Sequence, residues 1–173
     1  MQQIVIYFWQ MCLLKTGPQR LPDTLSILVF MCLVYLIIAA ATLGITRTEQ
    51  GLAGILGTSV FGLLMEGAIV WTLLAFKRVT PRFIPTMTAL LGTNAIILLI
   101  LLPMNAIIFQ TDSDNLLGIL AEVVSLLCLG WWLAIAGSIL HHAINISIIQ
   151  GAAVIFVMEL VTVMATRSIF PAT

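Results

Sequence analysis

The chain has 173 residues, 61% of them hydrophobic and only 8% charged. A water-soluble domain carries about 25% charged residues, so a set this sparse cannot cover an aqueous surface, and lipid must cover it instead. Seven lysines and arginines balance seven acids, which leaves no net field to recruit nucleic acid or another polyanion.

The chain opens Met1-Gln2-Gln3 and meets its first cation at Lys15, with no small-residue cleavage site behind it. That is not the pattern of a signal peptide, and the segment is expected to stay. Ile4 to Leu14 is apolar and aromatic, with Tyr7, Phe8 and Trp9 adjacent. It is too short to cross ~30 Å of hydrocarbon, which takes about 20 helical residues. Gly17 and Pro18 end it. Residues 1–20 therefore read as an interfacial helix and loop, the helix lying in the headgroup layer. A re-entrant stub buried against the bundle is the alternative.

Asp23 or Thr24 caps the first span, residues 25–45, which is free of charge. The second span, 52–76, contains Gly54, Gly57, Gly62 and Gly67, behind Gly51. Such spacing lets a neighbouring helix approach closely. Lys77-Arg78-Val79-Thr80-Pro81-Arg82 ends it. The third span, 85–109, carries Pro103 in its last third, where a kink is expected. Residues 116–140 and 147–166 form the fourth and fifth spans, with the turn expected over His141 to Asn145. Ser147 and Gln150 have the spacing of a capping box. The expected fold is an all-α integral membrane bundle of five transmembrane helices plus the short N-terminal helix, in one transmembrane domain.

The cations set the orientation. Lys15 and Arg20 precede the first span, Arg47 follows it, Lys77, Arg78 and Arg82 follow the second, and Arg167 follows the last. A cytoplasmic N-terminus places five of them inside and two outside. This predicts N-in, C-out, with the third loop and its Asp112 and Asp114 outside, in a cell inner membrane.

All seven cations lie outside the apolar spans, whereas Glu66, Glu122 and Glu159 lie within them. An ionised carboxylate in hydrocarbon costs several kcal/mol unless paired. Lys77 is eleven residues from Glu66, about 16 Å along a helix, too far to reach back. Glu122 and Glu159 fall at similar depths on adjacent antiparallel spans, and if they face each other they must share a proton. Three readings stay open: a proton or cation site, neutral acids hydrogen-bonded to neighbours, or contacts to a partner subunit's cation.

Asn94 and Asn105, in the third span, and Gln150 read as interhelical hydrogen-bonding groups. Of the adjacent Trp131 and Trp132, one ring is expected inside and the other against lipid or a partner. His141 and His142 point about 100° apart on a helix and lack a further ligand at i+3 or i+4. With Asn145 they read as polar capping at the inner interface, not as a metal or haem site. Cys12, Cys32 and Cys128 show no metal or redox spacing. No nucleophile elbow, zinc-protease helix, P-loop or nucleotide fingerprint occurs. Neither a cofactor nor an enzymatic activity is expected.

Three stretches together resemble bacterial members of the Yip (Ypt-interacting protein-like) membrane family. They are Leu13-Leu14-Lys15-Thr16-Gly17-Pro18-Gln19-Arg20-Leu21-Pro22 before the first span, the five-span layout with its basic second loop, and Trp131-Trp132-Leu133 leading to Gly137 and His141-His142-Ala143-Ile144-Asn145-Ile146-Ser147. Eukaryotic members have a long soluble N-terminal region, which these residues do not include. The resemblance implies a scaffolding or accessory membrane protein without catalytic residues. The expected function is thus a non-enzymatic accessory, scaffold or assembly subunit, whose partners are the lipid bilayer and other membrane proteins. The alternative is a small proton-coupled carrier or channel using the intramembrane glutamates.

Overall fold

A computed structural model describes residues 2–14, 16–18, 23–46, 51–110 and 115–170. The loops carrying Arg47, Glu49, Asp112 and Asp114 lie outside these, as do Lys15 and Arg20. The described chain forms α1 (Gln2–Cys12), α2 (Leu25–Thr46), α3 (Leu52–Phe76), a 3-10 turn (Thr80–Arg82), α4 (Phe83–Gln110), α5 (Leu116–Ile144) and α6 (Ile148–Ile169). It is an all-α bundle, and α2 to α6 are each long and apolar enough to cross a membrane.

Helix α2 packs on α3 and α4, α4 on α5, α5 on α6, and α6 on α3, so the five long helices close into a ring. The α1–α2 connection, the basic loop after α3 and the α5–α6 turn meet at one end, where Pro18, Asp23, Arg82 and His142 line a common cavity. At the other end Phe170 packs edge-on against Phe61, ring centroids 6.1 Å apart.

The expected boundaries hold within a few residues, except at the α5–α6 turn. The helix does not stop at residue 140 but continues through His141 and His142 to Ile144, leaving only Asn145-Ile146-Ser147 between α5 and α6. Two local features extend it. Asn145 adopts the left-handed conformation at φ 56°, ψ 49° and closes the helix end, a conformation asparagine tolerates better than most residues. Arg82 donates to the carbonyls of Ala143 (2.8 Å) and His142 (3.3 Å), satisfying two of the orphan acceptors at the helix end. Ser147 and Gln150 form the reciprocal capping box that opens α6. Helix α4 runs through Pro103 without ending.

The close helix contact falls elsewhere than on the α3 glycines. A Cβ on Gly137 would lie 2.6 Å from the Ile148 carbonyl oxygen, and one on Gly151 would lie 2.5 Å from that of Gly137. These two glycines let α5 and α6 touch backbone to backbone beside their turn. Gly62 faces open space and Gly67 meets only the tip of Met87. Gly57 takes the Phe170 ring.

The core is off-centre. In α4 the buried residues run from Thr86 to Ala95 and end at Ile97, with none in the remaining half of the helix. In α5 the run Ile135–Gly137, Ile139, Leu140, Ala143 and Ile144 sits near the turn. Helix α1 completes this tight half. Phe8, Met11 and Cys12 are buried, and Phe8 fills the space above Gly92. Gly92 lies nine residues into α4, about 14 Å along it. The Trp131 indole donates to the Cys12 carbonyl at 2.8 Å, and the Tyr7 hydroxyl donates to the Gly17 carbonyl at 2.5 Å. Helix α1 thus reaches into the bundle and the chain returns to the same end by Gly17, the geometry of the re-entrant alternative.

Candidate functional site: a polar cluster at the bundle midplane

Each of the five long helices places one polar side chain at nearly the same depth. Counted from the end that carries the α5–α6 turn, Tyr35 is ten residues into α2, Glu66 ten into α3, Asn94 eleven into α4, Trp132 twelve into α5 and Glu159 eleven into α6. At 1.5 Å per residue all five sit about 15–18 Å deep, near the middle of a ~30 Å hydrocarbon layer.

Asn94 links three of the helices. Its Nδ2 donates to Glu66 Oε1 at 3.2 Å, and its Oδ1 accepts from Trp132 Nε1 at 2.6 Å. This pattern also fixes the amide orientation, because only the oxygen can accept from an indole N–H. Glu66 and Asn94 are both 6% exposed, so water does not do the work that Asn94 does for the carboxyl. Glu159 and Tyr35 stand within electrostatic range of Glu66.

A cavity of about 470 Å³ adjoins this cluster. Asn94, Tyr35, Trp132 and Glu159 form its polar part. Its walls are Ile97, Leu98 and Leu101 of α4, Leu129 of α5, and Phe156, Leu160 and Val163 of α6. The lining positions repeat at three- and four-residue steps, the spacing of a single helix face. Most lie farther from the turn than Asn94 does, so the cavity extends from the midplane into the loosely packed half. The space arises because α6 starts against α5 at Gly137 and Gly151 but finishes against α3, where Phe170 sits on Gly57.

The structure re-sorts the sequence candidates. Glu66, Glu159 and Asn94 come together, and the carboxyl that shares surroundings with Glu159 is Glu66. Glu122 is exposed on the outside of α5. Asn105 is half-buried beyond the cluster on α4. His141 and His142 belong to the last turn of α5, not to a loop. The Nδ1 of His142 donates to the Ser138 carbonyl at 2.7 Å, and that of His141 donates to the Ile146 carbonyl. Both rings thereby tie the turn together, and only Asn145 lies in the connection itself. Neither tryptophan is left to lipid alone, because α1 covers Trp131. Among the described residues no three His, Cys, Asp or Glu side chains converge to hold a metal.

Two cluster residues, Trp132 and Tyr35, are not among the site candidates that the sequence offers. A tyrosine in mid-span, remote from the interfacial belts where tyrosine concentrates, is the signal that marks it.

No protein-family model, curated protein or solved structure matches this chain.

Proposed function

We propose that this protein is a small, non-enzymatic carrier or channel that moves a proton or cation through the Glu66–Asn94–Glu159 cluster. One observation carries the reading: all five spans contribute a polar group at one depth, and a cavity reaches four of them. Intramembrane ionisable groups that face a bundle interior mark ion pathways more often than packing. Carriers hold their substrates near the midplane, between helices that can move against one another. The cation count supports an inner-membrane orientation with the α5–α6 turn on the cytoplasmic side. In that orientation the cavity faces the outer half of the membrane.

Reconstitution in liposomes tests this. Under an imposed potassium diffusion potential, the native chain should acidify the lumen faster than empty vesicles. The Glu66→Gln/Glu159→Gln pair should reduce that flux at least tenfold, and Glu122→Gln should leave it unchanged. Equal flux from native and doubly substituted protein would falsify the reading.

Glu122 favours a second reading, that of an accessory or assembly subunit. It lies among exposed Ile119, Leu120, Val123 and Leu126 on α5, a surface that a partner's lysine or arginine would neutralise. The Yip resemblance supports the same role. Solubilisation in mild detergent separates the two readings. A stoichiometric membrane partner that is lost on Glu122→Ala is the expected outcome for a subunit, and a chain that elutes alone rules it out.

A further inference from the structure

The cavity beside the cluster has a chemical character that narrows its occupant. Its volume of about 470 Å³ lies in the range of pockets that enclose drug-sized molecules, far more than a proton pathway needs. It is polar at one end and aliphatic along its length. Glu159 and Tyr35 line it, and neither finds a hydrogen-bond partner among the described residues. Both are half-buried on a mostly aliphatic cavity wall, where a polar group without a partner is costly, so both stand ready for a ligand.

The charge pattern selects the sign. The one cation within the long helices is Arg167, in the last turn of α6 and eight residues from Glu159, whereas two carboxyl groups sit at the cluster. An anion entering here would meet only negative charge, and a neutral hydrocarbon would leave Glu159 unmatched. A small hydrated metal ion wants six or more oxygen ligands or retained waters, which aliphatic walls cannot supply. A cation spread over an apolar body satisfies both ends. The Trp132 ring, held by its bond to Asn94, adds an aromatic surface that attracts such a cation within about 6 Å.

We propose that this cavity binds a lipophilic monovalent cation, a protonated or quaternary amine on an apolar body, with its charge against Glu159. The proposal rests on the carboxylate site described above and names its substrate class. The ligand's apolar part lies along Ile97, Leu101, Phe156 and Val163. Leu129 stands at the edge of the cavity, 44% exposed, where a larger side chain would fill the space without touching the carboxyl groups.

Two probes of the same shape and opposite charge, tetraphenylphosphonium and tetraphenylborate, test it by calorimetric titration into the purified full chain in detergent. Native protein should bind the phosphonium saturably with one site per chain, whereas the borate should show only non-saturable partition into micelles. Glu159→Gln should weaken phosphonium binding at least tenfold. Leu129→Trp, which keeps both glutamates, should abolish it while eluting as a single monodisperse species. Equal binding of both probes overturns the proposal, as does unchanged phosphonium affinity in Glu159→Gln or no binding by native protein. Phosphonium binding that depends on Glu159, without proton flux in liposomes, keeps the ligand class and removes the carrier. Proton flux without phosphonium binding does the reverse.

Discussion

Asn94 uses both ends of its amide, donating to Glu66 and accepting from the Trp132 indole. Replacing it with leucine keeps the volume but strands the buried Glu66 carboxyl and the half-buried Trp132 indole. Each group left unsatisfied costs about 1–3 kcal/mol. Asn94→Leu should therefore lower the melting temperature in detergent well below that of Trp132→Phe, which removes one donor but keeps most of the ring. If the two variants melt together, the amide is not the linking group. Cys12 shows a different residue-scale effect. Burial pushes its thiol from 9.0 up to about 11, so the folded state holds the proton more tightly than the unfolded chain. Its contribution to stability is complete below pH 9 and declines as pH rises from about 9 towards 11. In a Cys32→Ser/Cys128→Ser background, maleimide should label Cys12 slowly at pH 8 and rapidly once the chain is unfolded. Fast labelling of the folded protein would show that α1 is not seated against α4 and α5.

At the scale of elements, the α5–α6 pair depends on two small residues and one left-handed one. Gly151→Ala places a methyl group about 2.5 Å from the Gly137 carbonyl oxygen, and the helices must part or shift. Overpacking of this kind costs about 1–3 kcal/mol, seen as a lower melting temperature and a poorer yield of monodisperse protein. Asn145→Gly should be tolerated, because glycine reaches the same backbone conformation, whereas Asn145→Val should cost about 1–2 kcal/mol. The elements themselves were largely legible. Long apolar runs set α2 to α6, and the Ser147–Gln150 spacing set the start of α6. The end of α5 was not legible, because its last carbonyls are satisfied by Arg82, sixty residues earlier in the chain. The rotation of each helix was equally hidden. Apolar residues surround α2 to α6 on every side, so no stripe shows which face turns inward. Hence three glutamates stood out in the sequence, but not that Glu66, and not Glu122, shares surroundings with Glu159.

Across the whole molecule, the proposed orientation makes two positions at opposite ends of the bundle differ in their access to reagents. With the cations as the guide to orientation, Asn115→Cys in a cysteine-free background should react with a membrane-impermeant maleimide added to intact cells. Arg78→Cys should react only after permeabilisation. The opposite pattern would invert the assignment and turn the cavity towards the cytoplasm. The ring order of helices was hidden for the same reason as their rotations, since contacts between distant apolar faces leave no mark on either face alone.

The insertion of α1 makes the two halves of the bundle unequal insulators. On its own side, between the cavity at the turn and the cluster, Phe8 and the buried run Met87–Ala95 leave little room for solvent. On the far side, the cavity reaches as deep as Glu159. Once that space is wet, a transmembrane voltage falls mainly across the tight half, because water conducts the field away from the open one. A charge at the cluster would then sit electrically close to the cavity side, although it lies at mid-depth. Moving it to the turn side would cross most of the potential, worth up to about 2.3 kcal/mol per 100 mV. A short helix outside the five spans would thus set where the voltage drops.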